Sequence, residues 1–279
     1  MTNKNKGKQL LGKIGMYTLL FIGVIVSLFP FYWMFIGATN PSGAIFSIPP
    51  NLTPGGHFME NLRNLNESVG IWRVVGNSLF ITLTFTILSV FICSMAGYAF
   101  AKFKFAGREF IFFMLLIAIM IPYHVTIIPL FRMMGSLDWI NTYQAVILPN
   151  LAYPFAIFLM RQNMRSIPDS LLEAARVDGA GEFRIFFRVI IPTMRPALAA
   201  VAIFLFMFQW NNFLWPLVIL GDPDMATIPV ALSRLNGMSR IDYGQIMLGT
   251  TISTLPIMVF FLLLQKQFIS GILGGSVKE

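Results

Sequence analysis

Six stretches of this chain contain no Asp, Glu, Lys or Arg: roughly residues 15 to 37, 74 to 100, 110 to 131, 143 to 160, 197 to 220 and 245 to 264. Each approaches the about 20 residues that cross a hydrocarbon layer of about 30 Å as a helix. Barrel strands are about half as long and alternate polar with apolar residues, and these stretches do neither. The predicted fold is an all-α membrane protein with six transmembrane helices in a single domain, 1–279, and a polar segment, about 161–196, between the fourth and fifth. Composition points the same way, since 56% hydrophobic and 11% charged residues exceed what soluble cores of ordinary size account for. The one cysteine, Cys93, falls inside a predicted span, so no intramolecular disulfide is possible and a buried packing role remains.

Orientation follows from the basic residues. With the N-terminus in the cytoplasm, the inner segments hold Lys4, Lys6, Lys8, Lys13, Lys102, Lys104, Arg108, Arg161, Arg165, Arg176, Arg184, Arg188, Arg195, Lys266 and Lys278, which is 15 of 20. Arg63, Arg73, Arg132, Arg234 and Arg240 remain outside, and the twelve acids divide evenly. Both termini are therefore expected in the cytoplasm. The net charge of +8 is explained by topology and needs no nucleic-acid partner.

Two features near the N-terminus imitate other things. Lysines ahead of an apolar run resemble a signal peptide, but the run is about 23 residues against the usual apolar core of about 7 to 15, and further spans follow, so it is read as a retained first helix. Gly7, Gly12 and Lys13 resemble part of a phosphate-binding loop, yet Ile14 replaces the hydroxyl residue that would hold magnesium and no strand precedes it. The chain also lacks HExxH, GxSxG, a Cys/His set with metal-ligand spacing and a pair of intramembrane acids. An enzyme is disfavoured, with neither catalytic nor metal-binding residues expected and no cofactor in this chain. Ion-coupled carriers commonly place ionisable groups within the membrane; only His124 is available here, and a lone His also serves as a hydrogen-bonded packing residue.

The segment between the fourth and fifth spans reads as two short helices. Ser166, Pro168 and Asp169 resemble a capped helix start, with Ser166 as N-cap. The helix runs to about Val177, Asp178 and Gly179 break it, and a second helix resumes with Phe183, Phe186, Phe187 and Ile190 along one side. Ala174 and Ala175 leave room for close backbone approach, and Glu173 offers a carboxylate for an arginine. These features fit either an ordinary surface helix pair or a docking handle.

The residues here resemble a known family. The pattern EAA, three residues, Gly, nine residues, then an aliphatic pair ending in Leu-Pro marks the membrane (permease) subunits of bacterial ABC importers. Glu173, Ala174, Ala175, Gly179 and Pro192 match at that spacing, Val189 and Ile191 are conservative departures, and Asp178, Gly179 and Ala180 meet the wider DGA pattern. AGYAFAKFKFAGRE from Ala96, WNNFLWPL from Trp210 and QKQFISGILGGSVKE from Gln265 are similar to the carbohydrate-uptake branch, that of the second maltose-transporter permease. That pattern often ends in Gly where this chain has Glu279. The resemblance implies a heterodimer with a homologous permease, two ATPase subunits that bind ATP and Mg, and an extracytoplasmic solute-binding protein. It also implies that the EAA helix sits in a cleft of the ATPase and levers the spans between inward-facing and outward-facing states. Gly179→Asp is expected to leave the protein in the membrane but to uncouple hydrolysis from uptake.

Depth along each span places neutral polar residues in the outer half to middle: Asn77 and Ser78, Tyr123 and His124, Asn150, Asn211 and Asn212, and Thr250, Thr251 and Thr254. Buried sugar hydroxyls must recover the hydrogen bonds they had in water, and aromatic faces such as Trp210 and Tyr153 suit their C–H side. The same groups serve equally as glue between membrane helices. Pro122, Pro129, Pro149, Pro154, Pro216 and Pro256 are expected to interrupt four spans. The outer segments of about 38 to 73 and 221 to 244 are candidate binding-protein contacts, the latter through Asp222, Asp224, Arg234 and Arg240; solvated linkage is the plainer alternative. Gly271, Gly274, Gly275 and Lys278 form an expected flexible tail, similar to tails that lie along the ATPase in this branch. The function expected is ATP-driven import of a di- or oligosaccharide. A polyol or glycerol-phosphate importer of the same build is the alternative, and an ion-coupled carrier a remoter one.

Overall fold

The computed structural model describes residues 3–237 and 241–274, so Arg240, Gly275, Lys278 and Glu279 lie outside the described residues. Among the described residues every regular element is helical. The chain forms two compact units, Met1–Val69 with Arg234–Thr254, and Gly70–Ser233 with Leu255–Glu279.

In the first unit α1 (Asn3–Thr39) continues through Pro30 without a break. The outer segment after it is folded: α2 (Ser42–Ile45) and α3 (Phe58–Val69) are held by an asparagine knot. Asn61 Nδ2 donates to the carbonyls of Ala38 and Asn40 at 2.9 and 3.0 Å, covering groups that a helix end leaves open. Asn40 Nδ2 donates to Ile36 O at 2.9 Å and Thr53 O at 3.0 Å. The Tyr243 N–H donates to Ser42 Oγ at 2.8 Å, and the Tyr243 ring meets Phe46 edge-on at 4.8 Å.

The second unit runs through α4 (Ile71–Lys102), α5 (Arg108–Met120), α6 (Tyr123–Ser136), α7 (Tyr143–Ile147), α8 (Pro154–Met164), α9 (Asp169–Val177) and α10 (Glu182–Ile185). A π-helical turn, Phe186–Ile190, leads to α11 (Ile191–Thr193), α12 (Arg195–Trp210), α13 (Leu214–Ile219), a 3-10 turn (Pro223–Met225) and the start of α14 (Ile228–Asn236); α15 (Tyr243–Gly274) follows. Among the described residues, three helical segments are long and apolar enough to cross a membrane: Leu11–Thr39, Ile71–Lys102 and Tyr243–Gln267. Two further pairs qualify only when joined across a bend, Arg108–Met120 with Tyr123–Ser136 at 103° and Glu182–Thr193 with Arg195–Trp210 at 83°.

The stretch 143 to 160, expected as one span, is two helices parted by residues 148–153. Pro149 and Pro154 each lack an N–H and disfavour helix in the residue before them, which accounts for the gap. Backbone groups freed inside a membrane need protein partners. Cys93 Sγ approaches the carbonyls of Leu151 and Tyr153 at 3.5 and 3.7 Å, and buried Trp215 Nε1 donates to Ala145 O at 2.9 Å. Pro122 also marks a break, between α5 and α6, and the stretch 197 to 220 is likewise two helices, α12 and α13, parted by residues 211–213 with Pro216 in the first turn of the second. Pro129 and Pro256 lie inside helices that continue past them. Three of the four stretches expected to be interrupted are therefore broken, and the one that holds Pro256 is continuous, since a helix tolerates proline where packing satisfies the freed carbonyl.

Packing in this unit centres on α4, which lies along α8 and α12. At Gly97 an added β-carbon would come within 2.6 Å of Met160 Cβ and 2.9 Å of Arg161 N, so the α4–α8 crossing depends on the missing side chain.

Candidate functional site: a pinned helix pair

The EAA residues lie on α9. Leu172 is buried and Ala175 half-buried on its inner side, while Glu173, Ala174, Arg176 and Val177 are exposed, Val177 at 88%. Burying Leu172 contributes about 2 kcal/mol toward seating the helix. Pro168 occupies the N-cap without a side-chain bond, and the Ser166 hydroxyl instead donates to Asn163 O at 2.6 Å. The expected Ser166 cap is therefore not formed, because the turn closing α8 takes that hydroxyl first.

The C-terminus of α9 is a left-handed glycine cap. The Gly179 N–H donates to Arg176 O and the Ala180 N–H to Ala175 O, each at 3.0 Å, with Gly179 at φ 77°. Asp178 is the C-cap residue. Gly179 thus sets the angle between α9 and α10 by closing two hydrogen bonds that would otherwise leave carbonyls open.

Beyond the cap, helix phase differs from the expectation. Ile185, Phe186 and Ile190 are buried, whereas Phe183 and Phe187 are exposed at 72% and 51%. The π-turn inserts one residue into the helical repeat, so a stripe drawn at α-helical spacing does not stay on one side. Pro192 lies in α11 and is exposed.

Two polar pins fasten this helix pair to the end of α4. Lys102, with its side chain only 5% exposed, donates from Nζ to Asp169 Oδ1 at 2.7 Å and also to Ile167 O. The Lys102 ammonium holds the Asp169 carboxyl below the usual carboxylate range. At the other end Glu182 uses both oxygens: Oε1 accepts from Arg176 Nε at 2.8 Å and Oε2 from the Tyr98 hydroxyl at 2.9 Å. Arg176 therefore pairs with Glu182, not with Glu173. Nearby, Arg161, 7% exposed, donates from Nη2 to both Glu109 oxygens at 2.7 and 2.8 Å and from Nε to Phe100 O, with its guanidinium 3.7 Å from the centre of the Phe112 ring. Sequence reasoning missed Tyr98, Lys102, Arg161 and Glu182 as a set. Apart from the Arg176–Glu182 pair, six residues apart, their partners are 52 to 84 residues away, and only the rarity of a buried cation hinted at them.

The neutral polar residues divide by use. Asn77 is committed to the outer loop, donating from Nδ2 to Asp224 O at 2.8 Å and Ala226 O at 3.1 Å while Oδ1 accepts from the Tyr143 hydroxyl at 2.8 Å. Ser78 Oγ accepts from the Ile228 N–H, Asp224 pairs with Arg73, and the Asp222 N–H donates to Asn141 Oδ1. Thr250, Thr251 and Thr254 return their hydroxyls to carbonyls four residues earlier, and Asn211 Nδ2 bonds Met207 O. The Tyr123 hydroxyl lies beside the Asn212 side chain, Tyr153 packs on Phe204 and Phe208, and Trp210 stacks on Phe206. His124 is exposed and Asn150 half-buried in the gap between α7 and α8. Arg234 is half-buried in the first unit.

Gln209, not singled out from sequence, is 4% exposed, and its amide nitrogen and oxygen lack hydrogen-bond partners among the described residues. A largely apolar cavity of about 580 Å³ beside α4 and α12 is lined by Thr86, Phe91, Ser94, Arg195 and Phe260 among others, and by none of the belt residues. Among the described residues no group of His, Cys, Asp or Glu is arranged to hold a metal ion.

Comparison with known proteins agrees with this architecture. The chain is 38% identical over 271 residues to the lactose transport system permease protein LacG of Rhizobium radiobacter, covering 97% of this chain and 98% of the relative. It is 38% identical to the arabinooligosaccharides transport system permease protein AraQ of Bacillus subtilis, covering 91% and 92%. The sn-glycerol-3-phosphate transport system permease protein UgpE of Escherichia coli K12 is 31% identical, covering 93% and 95%. In fold, the chain is similar to one in the crystal structure of a bacterial ABC transporter involved in the import of the acidic polysaccharide alginate, with a TM-score of 0.78, 24% identity and coverage of 94% and 98%. Residues 89–274, which hold the pinned helix pair and most of the helices packed on it, match the model of one family, and the chain belongs to it: the binding-protein-dependent transport system inner membrane components.

Proposed function

We propose that this chain is the permease subunit of an ATP-driven, binding-protein-dependent importer of a di- or oligosaccharide, supplying half of the translocation path and one ATPase dock. The observation that carries this reading is α9: a short helix that leaves Glu173, Ala174 and Val177 uncovered while its start is fixed to α4 through Lys102 and its last turn is tied through Glu182 to Tyr98 of the same helix α4. Leu171 and Val177, 43% and 88% exposed, leave apolar surface on α9 for a partner to cover. The partners are a sister permease, two ATPase subunits that bind ATP and Mg, and an extracytoplasmic solute-binding protein. Both termini and the 161–196 segment face the cytoplasm, and the chain sits in the bacterial cytoplasmic membrane.

The solute path runs through the second unit near Tyr123, His124, Asn150, Tyr153, Trp210, Asn211 and Asn212, joined by Gln209, whose unpaired amide favours a polar visitor. Asn77 supports the path indirectly by holding the outer loop, and in the first unit Thr251 and Thr254 of α15 are separate candidates for solute contact. Asp222, Asp224, Arg234 and Arg240 contact the binding protein. The sugars named for the LacG and AraQ relatives support a carbohydrate. UgpE keeps glycerol phosphate as the second reading, although the belt holds neutral groups where a phosphate would favour an arginine.

The test is reconstitution of the whole complex in liposomes after identifying, by mass spectrometry, the solute retained by the binding protein. Uptake should require ATP and survive collapse of ion gradients. Accumulation driven by an ion gradient without nucleotide would overturn the reading.

A further inference from the structure

We propose that Lys102 and Tyr98 are positioning residues for coupling, clamping the lever to α4 so that the ATP-driven stroke enters that helix directly as well as the two helices to which the lever is joined by the chain. This rests on the transport reading above and adds the route of the force.

Connectivity alone would deliver motion only to α8, which precedes the lever, and to α12, which follows it. The side chains add a third attachment. Lys102 holds the start of α9 through Asp169 and Ile167 O, and Tyr98 holds the start of α10 through Glu182. The two residues are four apart on one face of α4, about 6 Å along its axis. Glu182 bridges three elements, because its other oxygen takes Arg176 from the last turn of α9.

The geometry of Lys102 is the telling point. A lysine at the end of a membrane helix ordinarily extends its ammonium to water. This one is 5% exposed and turned onto the loop, although its partner Asp169 is 77% exposed. Burying a cation costs free energy that only well-placed acceptors offset, and here the acceptors belong to the lever. Within two turns of the clamp, Gly97 brings α4 against the α8 backbone, and Arg161 ties α8 to Phe100 O and Glu109. The inner end of α4 is therefore a junction where a push on α9 has no slack to take up.

The experiment uses the complete reconstituted transporter with Lys102→Met, which keeps the apolar stem, and Tyr98→Phe, which removes only a hydroxyl. A mixture of labelled lactose, an arabino-oligosaccharide and glycerol-3-phosphate serves as the probe. Uptake per ATP hydrolysed is the readout, because a merely destabilised complex loses both activities together. We expect the ATPase to copurify normally, with uptake per ATP falling about tenfold in Lys102→Met and a few-fold in Tyr98→Phe, as the loss of charged and neutral hydrogen bonds would give. An unchanged ratio in both variants, or a parallel fall of uptake and hydrolysis, would overturn the clamp while leaving the transport reading intact. Absence of ATP-dependent uptake in the unsubstituted complex would instead bring down the transport reading, and the clamp with it.

Discussion

Gly179 offers a graded test of whether the lever works by shape. Its φ of 77° lies in the left-handed region, where a β-carbon costs about 1–2 kcal/mol, with Asn and Asp partly exempt. Nothing lies within 4 Å of the position that carbon would occupy, so within the chain the cost is conformational and carries no clash. A penalty of about 1–2 kcal/mol lowers the population of the capped turn about 5- to 30-fold. The expected order of uptake per ATP is therefore glycine, then Asn, then Ala, then the β-branched Val, measured in proteoliposomes holding the whole complex. Gly179→Asp shares the backbone tolerance of Asn but adds a charge beside Asp178. Uncoupling by Asp and not by Asn would therefore report the electrostatics of the docked partner. If Asn proved as damaging as Val, the position would be a contact surface and the shape argument would be wrong; so it would be if Ala and Val matched the unsubstituted protein.

Other consequences are open to simpler measurement. Gly97→Leu should lower the melting temperature of the detergent-solubilised protein severely, and Gly97→Ala should cost about 1–3 kcal/mol, because the added carbon meets Met160 Cβ at 2.6 Å; an unaltered melt in both would mean the crossing is looser than it is drawn here. Asn77→Ala should remove about 2–3 kcal/mol of support from the outer loop and open residues 221–228 to protease, with Tyr143→Phe milder, and equal protease resistance in all three proteins would contradict the staple. The Asp169 carboxyl is depressed by Lys102, so its stabilisation is complete above the unfolded carboxylate value and is lost as pH falls through the lower folded one. The difference in melting temperature between the native chain and Asp169→Asn should accordingly stay constant through neutral pH and vanish only in strong acid. A difference that titrates near neutrality would point to another group.

The apolar runs were legible because lipid demands unbroken helices of fixed length, and Leu11–Thr39, Ile71–Lys102 and Tyr243–Gln267 follow from that demand alone. The cap at Asp178 and Gly179 was legible because glycine is the residue that adopts the left-handed turn without penalty. The π-turn at Phe186–Ile190 was not, since its extra residue leaves no compositional mark, and drawing Phe183 and Phe187 on the side of Phe186 followed from the wrong period. Nor was the direction of Lys102 or Arg161 legible. A basic residue at a membrane boundary satisfies the topological charge rule equally well whether it faces water or a loop 65 residues away. The same ambiguity hid the staple role of Asn77, whose amide suits a sugar hydroxyl and a backbone carbonyl alike.

That π-turn fixes the rotational phase between the lever and the helix it feeds. One residue in an α-helix corresponds to about 100° of rotation, so excising a single residue from Phe186–Ile190 to restore ordinary winding would swing α9 about a third of the way around while leaving every apolar residue of α12 in place. A chain shortened by that one residue would thus insert normally yet turn Val177 and Glu173 to another side, and adding one residue downstream would bring them back.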